Sequence, residues 1–74
     1  MTTKRFTAII QQEDDWFVSL CPELDVASQG KTVEESVTNL KEAVELFLET
    51  ASAQEIAGRI HQNTFVTQFE AAVG

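Results

Sequence analysis

His61, Cys21 and the run Glu13-Asp14-Asp15 are the residues whose types first invite chemistry. A catalytic or zinc-binding histidine needs a second ligand or a converging partner group. His61 instead lies between Ile60 and Gln62 in a chain with one histidine, and it reads as a surface residue of a loop. A nucleophilic cysteine needs a neighbouring cation or histidine to lower its pKa. Cys21, beside Pro22, has neither nearby and reads as a structural thiol. The acidic run lacks the spaced oxygens, the glycine and the closing glutamate of a calcium loop, so it reads as a solvated turn. Gly-rich phosphate loops, G-x-S-x-G elbows and paired-cysteine zinc spacings do not occur. The expectation is a protein that is not an enzyme, with no catalytic residues, no metal and no cofactor.

Binding is the better use of these side chains. Glu42, Glu45 and Glu49 fall on the polar side of a helical stretch whose one nearby cation is Lys41. Glu45 and Glu49 lie in its last turns, where the helix dipole disfavours negative charge. An acidic face held against that preference suits docking of a basic protein, with Glu13, Asp14 and Asp15 as a second acidic cluster. Hydrophobic anchoring would come from Trp16, Val18 and Leu20. The segment Trp16 to Cys21 is apolar on both faces, and one covering helix can hide only one of them. The other should meet a partner or a second copy of the chain, unless a second helix covers it.

The elements that must position these residues are legible from periodicity. Gly30 to Thr50 reads as a long amphipathic helix, with Val33, Val37, Leu40, Val44, Phe47 and Leu48 as one stripe. Thr32 and Glu35 make a capping box at its start. Upstream, Arg5 to Gln11 and Trp16 to Cys21 read as strands joined by the polar link Gln12 to Asp15, a hairpin. Pro22 ends the second strand, and Leu24 to Gln29 gives a short third. After the main helix, Ser52 and Glu55 signal a second short helix, weakened by Gly58. Thr64 to Ala72 alternates Phe65, Thr67 and Phe69 against Val66, Gln68 and Glu70, a fourth strand. The order β-β-β-α-(α)-β predicts an α+β layer, a small mostly antiparallel sheet with the main helix across one face. A helical crossover before the last strand would let it run parallel to the first.

Composition narrows the function classes. Seventy-four residues make one domain, 1–74, with a small core, so self-association into a homo-oligomer is expected. Five Lys plus Arg against twelve Asp plus Glu give a net charge of -7, which disfavours direct nucleic-acid or anionic-membrane binding. A single cysteine gives no internal disulfide, and no apolar run approaches the length of a membrane span. With no secretory signal at the N-terminus, the expected location is the cytoplasm.

The run EDDWFVSLCPELDVASQGKTVEESVTNLKEAVELFLE resembles the signature of the HicB-like antitoxin family of type II toxin–antitoxin systems, in its stand-alone short form. The likeness lies in the acidic turn, the aromatic-rich second strand and Pro22-Glu23-Leu24. It continues in Ser28-Gln29-Gly30, Thr32 to Glu35 and Asn39 to Ala43, and covers about half the chain. The family's usual Leu-Pro-Gly-Cys is here Leu24-Asp25-Val26-Ala27, so a different loop shape is expected. Many two-domain members carry a C-terminal DNA-binding module, and none is expected within 1–74. The resemblance implies a partial ribonuclease-H-like fold, but not nuclease activity. The first strand offers Thr7, Ala8, Ile9 and Ile10 where metal-binding carboxylates would be required. It implies binding and neutralising a HicA-type toxin, a small basic RNA-cleaving protein, by covering its RNA-binding surface. The alternative within the same family is a stand-alone interaction or regulatory module without a cognate toxin.

Overall fold

Two segments rich in β-forming residues flank Asp14-Asp15 and fold back on each other as a hairpin. The computed structural model describes residues 3–61 and 63–74. In it β1 (Ile9–Glu13), β2 (Trp16–Cys21) and β3 (Val26–Gly30) form one antiparallel sheet in the order β1-β2-β3. The helices α1 (Val33–Thr50) and α2 (Ala53–Arg59) follow. This is the α+β architecture expected. The first hairpin closes on the pair Glu13 and Trp16 through a two-residue turn, with Asp14 at φ 55. A turn this tight needs a left-handed residue, a conformation aspartate tolerates better than most.

Three elements differ from the sequence reading. β1 begins at Ile9 rather than Arg5, and the segment before it is held by side chains instead of a ladder. β3 begins at Val26 rather than Leu24. Leu24 sits in the turn between β2 and β3 and is fully buried in the core, while Asp25 takes a left-handed φ of 55. The fourth strand expected over Thr64–Ala72 is not formed, because residues 64–72 pair with no strand among the described residues. Alternation specifies two faces of a strand but not the strand it pairs with.

The core is small, consisting of Cys21, Leu24, Leu40 and Val44, with Phe6, Ala8, Val26, Phe47, Leu48 and Ile60 packed around it. The helix stripe is rotated relative to expectation. Ser36, Leu40 and Val44 are buried, whereas Val33 and Val37 stand exposed at its edge. Ser36 is there because α1 starts very close to the sheet. The buried Ser19 hydroxyl on β2 donates to the Ser36 carbonyl at 2.8 Å, and the Ser36 hydroxyl donates to the Val33 carbonyl at 2.8 Å. Small side chains allow the approach, and these bonds satisfy the polar atoms it buries. The α1 cap is half of the expected box. Thr32 Oγ1 accepts from the Glu35 N–H at 3.0 Å, but the Glu35 carboxylate accepts from Lys31 N–H rather than from Thr32. The complete box is the one between Ser52 and Glu55 at the start of α2.

Gly30 ends β3 under the first turn of α1. A β-carbon there would lie 2.6 Å from the Ser36 backbone nitrogen and 2.9 Å from the Glu35 carbonyl carbon. Both are backbone atoms that cannot swing aside. Gly30→Ala is therefore expected to lose about 1–3 kcal/mol through forced separation of β3 and α1, read from urea unfolding. A loss below about 0.5 kcal/mol would mean the two elements are not held this close.

Candidate functional site

Antiparallel register puts directly opposed residues on the same face of a sheet. Ile9, Leu20 and Ala27 are therefore aligned across the three strands, as are Gln11, Val18 and Gln29, with Glu13 beside Trp16 at the hairpin end. This is the face turned away from α1. Cys21, Ser19 and Gly30 point the other way and are buried. The outer face is left open, with Trp16 42% and Leu20 38% exposed, Ile9 also exposed and Val18 half-buried. α2 does not cover it. That helix turns against the end of α1, with the Arg59 guanidinium 5.2 Å from the centre of the Phe47 ring and Ile60 packed on the core.

Of the residues singled out from the sequence, Trp16, Val18, Leu20, Glu13, Asp14 and Asp15 come together here. The acidic turn is exposed at the end of the apolar strip, next to Trp16. Lys31 lies over the indole at 5.6 Å, within cation–π range, and holds the ring against the sheet end. Glu42, Glu45 and Glu49 are brought to a different place. They are exposed on α1, which packs on the opposite face of the sheet, and Glu45 stands at the rim of a groove beside the N-terminal segment. The two acidic clusters do not form one surface.

The candidates for chemistry are accounted for structurally. Burial, first of all, pushes the Cys21 thiol above its ordinary pKa, and the neighbouring Glu23 carboxylate adds to this against the Leu24 N–H. The thiol is protonated at neutral pH, a poor nucleophile. His61 Nε2 lies 3.4 Å from Asp25 Oδ2 in an exposed surface pair. Among the described residues, no three His, Cys, Asp or Glu side chains converge as metal ligands, and no helix is long and apolar enough to cross a membrane.

The residue that sequence reasoning passed over is Glu23. Its carboxylate accepts the Thr7 N–H at 3.1 Å and the Thr7 hydroxyl at 2.7 Å, and the Cys21 thiol donates to it at 3.4 Å. Its own carbonyl accepts the His61 N–H at 2.7 Å. One residue thus ties the N-terminal segment, the end of β2 and the exit of α2 together. A charged side chain beside the strand-ending Pro22 was the available signal. Burial on its own would raise the Glu23 carboxyl, but the hydrogen bonds from Thr7 and its other donors outweigh it and hold the pKa below the ordinary value. A carboxyl depressed on folding stabilises the fold above its unfolded pKa, and that contribution disappears as pH falls through the folded value. The fold should therefore weaken below about pH 4.3, and Glu23→Gln should flatten that part of the acid limb. Urea midpoints measured across acid pH would show it, and identical limbs for both proteins would remove Glu23 from that role.

The chain is 35% identical over 66 residues to a UPF0150 protein of Helicobacter pylori (strain J99 / ATCC 700824), covering 88% of this chain and 92% of that protein. No family model and no solved structure matches it.

Proposed function

The chain belongs to the UPF0150 family, and from that premise we propose that it is a non-enzymatic, cytoplasmic, antitoxin-like binding protein that neutralises a small basic RNA-cleaving toxin of the HicA type. The observation that carries the reading is the open outer face of the sheet, where Trp16, Val18 and Leu20 form an apolar strip ending in Glu13, Asp14 and Asp15. Contiguous apolar surface next to charge of one sign is the composition of an interface with an anchor and a steering element. The resemblance of residues 13–49 to the HicB-like pattern supports the choice of partner, and the net charge of -7 supports its sign. The chemistry of neutralisation is occlusion. The apolar strip seats on the toxin while the acidic turn takes the place of RNA phosphates on its basic surface.

The experiment is co-expression with the product of an adjacent short basic open reading frame. Growth arrest by that product alone, its relief by this protein, and titration of its RNA cleavage to a stoichiometric end point are the expected results. Unrelieved arrest, with no complex on gel filtration, would reject the toxin and leave a regulatory interaction module as the reading of the same face.

A further inference from the structure

A second open surface lies on the other side of the sheet, and the chain carries a segment that fits it. α1 packs over β3 and β2 but leaves the β1 side uncovered. The result is a groove of about 460 Å³ between α1 and the N-terminal segment, lined by Phe6, Ala8, Val37, Leu40, Val44 and Leu48. Beyond α2, residues 64–72 form no helix and pair with no strand among the described residues, and Phe65 and Phe69 are each 87% exposed. Two phenylalanines held in water four residues apart, which would share one face if the segment formed a strand, are an unmet burial.

We infer that residues 64–72 of one copy lie in the groove of a second copy, as a strand added beside β1, and that the exchange is reciprocal. Three observations select this occupant. Phe65 and Phe69 are spaced by ~13 Å in an extended chain, and the groove follows α1 from Val37 to Leu48, or ~16 Å. β1 is an edge strand with unpaired backbone groups, whereas at the other edge the Gln29 carbonyl of β3 is already taken by Asn39 at 2.8 Å. The segment also projects from its own body. The radius of gyration is 14.2 Å and the long axis 47 Å, against a radius of about 11 Å for a compact chain of this length. Residues 64–73 contain no glycine or proline to turn them back.

A reciprocal exchange is a closed two-fold arrangement, in which each copy gives one segment and receives one. Four phenylalanine rings supply roughly 600–1,000 Å² of buried surface, and the grooves they cover bring the total into the range of stable interfaces. This interface leaves the Trp16 face open, so it stands independently of any toxin.

Sedimentation of the full chain at micromolar concentration should give twice the 8.2 kDa chain mass. Phe65→Asp with Phe69→Asp should weaken the dimer at least roughly 100-fold, with unchanged helical circular dichroism because both side chains lie outside the core. A monomeric native chain, or a variant that dimerises as well as the native chain, overturns the inference. The source of the segment is read from disulfides in a Cys21→Ala background. Chains carrying Glu45→Cys mixed with chains carrying Thr67→Cys, which shares a face with Phe65 and Phe69, should cross-link into a two-chain product. If the mixture gives none and the double variant closes within one chain instead, the segment occupies its own groove and the exchange is wrong.

Discussion

Leu40→Ala is expected to lose roughly 2–5 kcal/mol, while Val33→Ala, at the start of the same helix, should lose under about 1 kcal/mol. Leu40 is buried in a core of four residues, and Val33 stands exposed at the edge of the same stripe and outside the groove. A chain of this length holds about 4–11 kcal/mol in all, so the first variant loses a large share of its stability. The contrast matters more than either value. Sequence periodicity assigns both residues to one buried stripe, and only the observed rotation of α1 separates them. Urea unfolding of the two variants side by side decides it. Equal losses would mean that α1 packs through the wider stripe, and that Ser36 is not the contact that sets its rotation.

That rotation also marks where sequence reading reaches its limit. The hairpin and α1 are legible because their determinants are local, namely Asp14-Asp15 between two apolar segments and Thr32 before an amphipathic run. The precise face of α1 is not local. It depends on Gly30 and Ser36 allowing β3 and the helix start into close approach, and on Ser19 supplying the hydrogen bond that closes it. A serine within an apolar stripe reads as an interruption, whereas here it is the point of closest contact. Leu24 shows the same thing in the turn, where a core side chain is carried by an irregular backbone that reads as a strand. Glu23 was invisible because its three partners come from residues distant from one another in the chain or masked by the turn. Residues 64–72 carry a clear strand pattern, but the pattern leaves their partner open.

The candidate surface was half legible. Trp16, Val18 and Leu20 were found from apolarity on both faces of one strand, and the register then joined them to Glu13, Asp14 and Asp15. Glu42, Glu45 and Glu49 stand apart from them on α1, a separation that sequence alone could not place because it does not say on which side of the sheet the helix lies.

The separation of the two acidic clusters makes the partner prediction sharper. A single small toxin seated on Trp16, Val18 and Leu20 meets the acidic turn and not the solvent side of α1. Trp16→Ala should speed dissociation of that complex by tenfold or more, the consequence of losing over ~1.4 kcal/mol at an aromatic anchor. Reversing Glu13, Asp14 and Asp15 to lysine should instead slow association, most at low ionic strength, since exposed charges act on encounter more than on the seated complex. Reversing Glu42, Glu45 and Glu49 changes the net charge by the same amount, from -7 to -1 for either triple variant, and serves as the control. If net charge alone steers the toxin, the two reversals slow association equally. If the sheet face is the interface, the turn reversal is much the stronger, and its effect shrinks with added salt. A stronger effect from the helix reversal, with dissociation indifferent to Trp16→Ala, would move the interface to α1 and reject the sheet face.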